Sequence, residues 1–280
     1  MAPSTVFITG SSSGIGLASA KLFHSLGWNV VATMRDPVPT HELFSVVEQQ
    51  RMLVLRLDVK DLASIEAAAN QAVATFGTVD VLVNNAGYGL GGLFEAISRE
   101  QIQEQFDVNV FGVMDVTRTL LPHLRANPNG AVIINISSGA GFWALPMTSM
   151  YNASKFALEG FTEALSYELA SQNILVKSVV PHGGVTSTDF NTRFAGSMAR
   201  NPALDSYGAF LTKTGESFSK MVAGASISSD DVAGAILTAA TDGKRQLRYF
   251  IGNDARGFVK ARYESQSDEE YMAKMRSYFE

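Results

Sequence analysis

Short apolar runs alternate with longer amphipathic stretches along most of this chain. Residues 6–8, 30–33, 53–57, 79–83, 132–136, 175–180 and 249–251 read as buried strands. Helical spacing follows most of them, at 16–26, 62–76, 99–125, 151–171 and 230–240. Strands that are apolar on both faces and separated by helices predict a parallel sheet covered on both sides. Right-handed crossovers make it a doubly wound α/β sheet, with a ligand site outside the carboxyl ends of the strands. No repeat, low-complexity tract or linker interrupts the pattern, so residues 1–280 read as a single domain. The departure is the polar, mixed stretch from Asp189 to about Ser228. It reads either as a flap over the site, at about 189–228, or as ordinary surface helices. A tail, 257–280, follows the last strand.

Composition narrows the function classes. Of 280 residues 46% are hydrophobic, enough for one large core. Twenty-two basic residues against 27 acidic ones give a net charge of -5, and the basic ones are scattered. A nucleic acid or an anionic membrane would need a basic patch, so neither is expected as a partner. The chain has no cysteine, which excludes disulfides, thiolate nucleophiles and cysteine-based zinc sites; no metal site is expected. No secretion signal opens the sequence and no apolar run has membrane-spanning length, so a soluble, cytoplasmic protein is expected.

The first strand runs into Thr9-Gly10-Ser11-Ser12-Ser13-Gly14-Ile15-Gly16. Glycines between a strand and a helix let the backbone approach a pyrophosphate, and the helix start offers it free N–H groups. The second strand ends in Met34-Arg35-Asp36. An NAD enzyme places a carboxylate at the position Met34 holds, to accept from the ribose 2′-hydroxyl. A neutral residue beside the Arg35 guanidinium suits a 2′-phosphate, hence NADP(H); Asp36, two places on, reads as a turn residue before Pro37 or as a flank of that site. Asp58 ends the third strand, where it would accept from the adenine amino group. Asn84-Asn85-Ala86-Gly87 ends the fourth, with the asparagines read mainly as ties between strands.

Tyr151 and Lys155 lie four apart at the start of a helix, on one face. A fixed ammonium and a nicotinamide cation would both lower the phenol from its reference pKa of about 10. The strand before them ends in Ser137-Ser138, and Ser138 can donate to a substrate oxygen. Asn109, in the middle of the long stretch 99–125, disfavours a regular helix; its amide could bind a water at a local distortion.

These motifs together resemble the short-chain dehydrogenase/reductase family: TGSSSGIG, NNAG, Ser137–Ser138 and YNASK stand in the family's order and spacing over residues 5 to about 255. Residues 27–35 and the tail are similar to its estradiol/retinol-dehydrogenase-like branch. The resemblance implies a single-domain Rossmann fold and hydride transfer between NADP(H) and a carbonyl or alcohol carbon. It makes Tyr151 the general acid and Lys155 the residue that lowers its pKa and holds the nicotinamide ribose. Ser138 would stabilise the developing alkoxide, and Asn109 would hold a relay water. The cofactor set it implies is Gly10, Ser12, Ser13, Gly14, Ile15, Gly16, Arg35, Asp58, Val59, Asn85, Ala86 and Gly87, with Pro181, Gly183, Val185, Thr186 and Thr188 after the sixth strand.

That last segment departs from the family pattern. His182 stands where a glycine is usual, and Thr186, Ser187 and Thr188 all remain candidates for the cofactor's hydroxyl contact. His182 itself either touches substrate or serves the turn. Phe142, Trp143, Leu145 and Met147, with Phe190, Phe194 and Tyr207 of the flap, suggest an apolar, aromatic or bulky alicyclic ligand. The rival readings are dehydration or epimerisation on the same scaffold, and a non-catalytic NADP(H) sensor. The helical stretches 99–125 and 151–171 carry more apolar residues than one buried stripe needs, and family members commonly pair through them. A homodimer or homotetramer is therefore expected, unless the tail folds back over that surface.

Overall fold

The computed structural model describes residues 3–38, 41–45, 49–188, 190–198, 201, 204–222, 227–254 and 257–279. Seven parallel strands form one sheet: β1 (Thr5–Ile8), β2 (Asn29–Met34), β3 (Met52–Arg56), β4 (Val81–Asn84), β5 (Ala131–Ile136), β6 (Ile174–Pro181) and β7 (Arg248–Ile251). Their spatial order is β3-β2-β1-β4-β5-β6-β7. β1 pairs with both β2 and β4, Val6 standing opposite Val30 on one side and Val81 on the other. The order therefore reverses between β1 and β4, and that switch opens a crevice at the carboxyl ends of the strands.

Alternation along each strand builds two cores. Phe7, Val31, Leu82 and Ile133 point to one face, where α2 (Leu62–Phe76), α4 (Gly112–Arg125) and α5 (Ser149–Leu169) cover them with Ile65, Leu120 and Leu165. Val6, Ile8, Val30 and Ile134 point to the other, against Phe23 of α1 (Gly14–Ser25) and Val232 and Ile236 of α8 (Ser229–Thr241). Helix starts follow local chemistry. Asp61 accepts from the Ser64 N–H to begin α2, and Ser98 with Gln101 forms a reciprocal box at α3 (Arg99–Phe106).

The stretch 99–125 is not one regular helix. Between α3 and α4 the chain widens into a π-helical segment, Asp107–Phe111, with Asn109 at its centre. The excursion after β6 contains α6 (Phe190–Gly196) and α7 (Gly208–Val222). A parallel bridge between Val185 and Ile227 draws its two ends together. The tail folds as α9 (Phe258–Glu264) and α10 (Asp268–Arg276), and packs Phe258 and Met275 on Phe142, Trp143 and Val180. It does not cover the surface of α5 and the π segment before α4, where Phe156 stays 41% and Phe111 47% exposed. Among the described residues no helix is long and apolar enough to cross a membrane, and no group of three metal-ligating side chains is found.

Candidate active site

The glycine-rich turn between β1 and α1 is held from behind by β4. Thr9 Oγ1 accepts from the N–H groups of Asn85 and Ala86, both at 3.0 Å, and Asn85 Nδ2 donates to the carbonyls of Thr9 and Gly10 at 2.9 and 3.0 Å. A side chain at Gly16 would begin 2.3 Å from the Gly10 carbonyl oxygen, and one at Gly10 2.9 Å from Ala86 Cα. At Gly10 and Gly14 the backbone also runs left-handed, with φ of 71° and 56°. Ser13 stands at the helix N-cap, yet its hydroxyl caps nothing, and no acidic residue lies in the first turn. The free N–H groups of α1 thus face outward beside a small-residue turn, which fits a bound pyrophosphate. Arg35 is exposed at the end of β2. The Asp58 carboxylate accepts from the Lys60 N–H at 3.0 Å and so braces its own turn.

At the end of β5 the two serines separate. Ser138 accepts from the Ala140 N–H at 3.2 Å and hydrogen-bonds the Tyr151 hydroxyl. The Ser137 hydroxyl is buried without a partner among the described residues. Helix α5 places Tyr151 and Lys155 on one face, the ammonium 6.0 Å from the phenol ring. Lys155 Nζ donates to the Ile136 carbonyl at 2.9 Å. Burial pushes the Tyr151 phenol up to about 12, with Ser138 pulling the other way. Burial also pulls Lys155 down to about 8, against the opposing charge of Glu159. The lowering expected of the tyrosine calls on the ammonium together with a nicotinamide cation; in the chain alone burial dominates and raises the phenol.

Asn109 lies at the centre of the π segment. Its amide donates to the Tyr88 carbonyl (2.9 Å) and Ser154 Oγ (3.2 Å), while Oδ1 accepts from the Tyr88 N–H at 3.1 Å. It fixes the strip Gly87–Gly91 against α5, and a side chain at Gly87 would begin 3.1 Å from Asn109 Oδ1 and 3.8 Å from Lys155 Nζ. Gln105, four residues earlier and fully buried, holds the same strip through Tyr88 and Leu90. Sequence reasoning missed Gln105; its i,i+4 spacing to Asn109 is the signal that marked it.

The model of the short-chain dehydrogenase family matches residues 4–197. The chain belongs to that family. An uncharacterised oxidoreductase of Schizosaccharomyces pombe is 43% identical over 181 residues, 64% of this chain and 60% of that protein. Human retinol dehydrogenase 8 is 39% identical over 207 residues, 73% of this chain and 66% of that one. The chain thus spans somewhat under two thirds of the length of these curated relatives. A short-chain dehydrogenase from Streptomyces avermitilis superimposes with a TM-score of 0.82 at 31% identity, covering 99% of this chain and 98% of that one. A 3-ketoacyl-(acyl-carrier-protein) reductase from Brucella melitensis, complexed with NADH, gives 0.73 at 29% identity, over 89% and 97%. A gluconate 5-dehydrogenase from Burkholderia cenocepacia, in complex with NADP and tartrate, gives 0.72 at 25% identity, over 90% and 94%.

In this short-chain dehydrogenase the walls around Tyr151 are aromatic. The Phe190 ring lies 5.6 Å from that of Tyr151 and stacks on Phe194 at 6.1 Å. Trp143 packs directly over Gly139, where a side chain would begin 2.2 Å from the indole. Tyr207 does not join them: its hydroxyl donates to Glu95 at 2.9 Å. His182 is buried between Trp143 and Phe250, ring centroids 5.8 and 6.3 Å away. Burial holds its pKa below the usual histidine range, against the charge of Asp254. After β6, the Thr186 hydroxyl donates to the Ile227 carbonyl at 3.1 Å. Thr188 instead packs on the glycine turn, its Cγ2 3.0 Å from where a side chain at Gly14 would begin.

Proposed function

We propose that this oxidoreductase is an NADP(H)-dependent carbonyl reductase or alcohol dehydrogenase for an apolar substrate, acting in the cytoplasm. The observation that carries the reading is the placement of Ser138, Tyr151 and Lys155 at the carboxyl edge of the sheet, beside the glycine turn. The turn residues Gly10, Ser12, Ser13, Gly14, Ile15 and Gly16 would hold the pyrophosphate, and Arg35 the 2′-phosphate. Asp58 and Val59 would flank the adenine. Asn85, Ala86, Gly87, Pro181, Gly183, Val185, Thr186 and Thr188 would line the nicotinamide end; both threonine hydroxyls are engaged with the chain itself, Thr186 with the Ile227 carbonyl and Thr188 with the Val185 carbonyl. The bound nicotinamide supplies or takes up the hydride.

This chain's own residues handle the proton. With its pKa at about 12, Tyr151 holds its proton at neutral pH and can give it to a carbonyl oxygen. Ser138 donates a hydrogen bond to the same oxygen as negative charge grows on it. Lys155 would bind ribose hydroxyls and, as an ammonium, favour the phenolate left after transfer. Asn109 keeps Tyr88 and Ser154 in place around them. Support for an apolar substrate comes from Trp143, Phe190 and Phe194, and from the retinol-directed name of one relative.

Mixing the purified chain with NADPH or NADH and a panel of aliphatic, aryl, sterol and retinoid carbonyls, and following the nicotinamide absorbance, tests the reading. Oxidation of NADPH by apolar carbonyls is expected. Binding without turnover on any of them would favour a sensor.

A further inference from the structure

Helix α6 touches both ends of the site. Arg193 reaches back to the glycine turn, where its Nη2 donates to Ser13 Oγ at 3.3 Å. Thr188, just before the helix, packs on Gly14 of the same turn. On the helix's other side Phe190 lies against Tyr151, and Phe194 fills the space over Gly89 and Gly91. Ser197 Oγ then donates to the Gly89 carbonyl at 3.0 Å and closes that contact.

The turn itself, residues 9–16, contains no lysine or arginine. It offers a diphosphate uncapped N–H groups but no counter-charge. We infer that Arg193 supplies that charge, as a ligand of the dinucleotide's pyrophosphate carried on the helix that covers Tyr151. The inference rests on the dinucleotide reading of the turn. The two arginines stand at different places: Arg193 beside Ser13 at the glycine turn, where the diphosphate would lie, and Arg35 exposed at the end of β2, where the adenosine ribose would lie. A guanidinium suits a diphosphate because its planar fork matches two oxygens at once. Binding the diphosphate through Arg193 would also hold Phe190 on the reacting centre, joining cofactor capture to closure of the substrate side.

The test titrates NADPH and NADH separately into the full chain and into Arg193→Met, Arg193→Lys and Arg35→Met, read by quenching of tryptophan fluorescence. Arg193 is exposed, so its variants should keep the fold. For Arg193→Met the expected result is loss of about tenfold or more in affinity, by a similar factor for both dinucleotides, since both contain the diphosphate. Arg193→Lys should recover part of it, and Arg35→Met should weaken NADPH alone. Unchanged affinities in Arg193→Met would overturn the inference, and a loss confined to NADPH would overturn the diphosphate assignment. The underlying reading fails differently: the unaltered chain would then bind neither dinucleotide. A second readout follows chymotryptic cleavage after Phe190 and Phe194. Cofactor should slow it in the unaltered chain and not in Arg193→Met; equal protection in both would sever the link to closure.

Discussion

At Tyr151 burial favours the neutral phenol, which suits a proton donor in carbonyl reduction. Replacing it by Phe removes the donated proton and leaves the packing against Phe190. Turnover should fall by about 10²–10⁴-fold, the usual worth of a positioned acid, with dinucleotide affinity nearly unchanged. Single-turnover absorbance and a binding titration separate the two. Lys155 gives a pH signature of its own. Its pKa is depressed to about 8, so it is charged below that pH and neutral above it. Capture of the dinucleotide by the free enzyme, read as kcat/KM for the cofactor, should decline as pH rises through about 8 and stay level below. Lys155→Met should flatten that limb; a profile identical to the unaltered chain would detach the lysine from cofactor binding. At this scale the sequence made the candidate groups legible because each is a single residue type at a fixed spacing. It distinguished Ser138 from Ser137 only through the family's spacing; in the structure Ser138 accepts from the Ala140 N–H while the Ser137 hydroxyl is buried without a partner among the described residues. Arg193 escaped notice because 180 positions separate it from Ser13, and no local pattern records such a contact.

Among the elements, strands and helices were legible wherever apolar periodicity met a clear stop, as at Gly77, which ends α2 with φ of 81°. Asn109 signalled a distortion, and the π segment lies there; its amide partners depend on Tyr88 and Ser154, which no helical pattern brings in. A second element-level feature had no sequence signal: Lys177 of β6 is fully buried beneath the end of α8. Its Nζ donates to the Ala239 carbonyl and to Asp242 Oδ1, both at 2.7 Å, and Tyr249 Oη donates to Asp242 Oδ2 at 2.6 Å. Burial opposes the Asp242 charge, yet these hydrogen bonds outweigh it and hold the carboxyl at about 2. A depressed carboxyl stabilises the fold above its unfolded value, about 3.9, and that contribution is lost as pH falls towards 2. Asp242→Ala would leave a buried ammonium without its carboxylate and should cost about 3–5 kcal/mol at neutral pH. Urea midpoints measured from pH 6 to pH 2 should show the gap to the unaltered chain narrowing between about pH 4 and pH 2. A constant gap would show that Asp242 ionisation is not the source.

For the whole molecule, assembly turns on what covers α4 and α5. Much of the apolar surplus counted in the sequence is consumed inside the chain, since Val110, Val113, Leu158 and Leu165 are buried. What remains outward is more specific. Phe156, Gly160, Glu163 and Tyr167 follow one another at i, i+4, i+7 and i+11, a single stripe of α5. Phe156 is 41% and Tyr167 73% exposed, and nothing lies within 4 Å of the space above Gly160. Phe111, 47% exposed, adds to it from the π segment before α4. The tail, the one segment of this chain expected to serve as a cover, is committed to Phe142, Trp143 and Val180. A second copy packed across the stripe by two-fold symmetry would bury these rings, and the glycine would let the helices approach closely. A stable pair needs about 800 Å² from each partner, more than these three rings give, so the surfaces of both helices must take part. Light scattering at micromolar concentration should return at least a dimer mass, and Phe111→Glu with Phe156→Glu should shift it to a monomer with the far-ultraviolet circular dichroism unchanged. A monomer mass for the unaltered chain would leave these rings as plain surface and remove the claim.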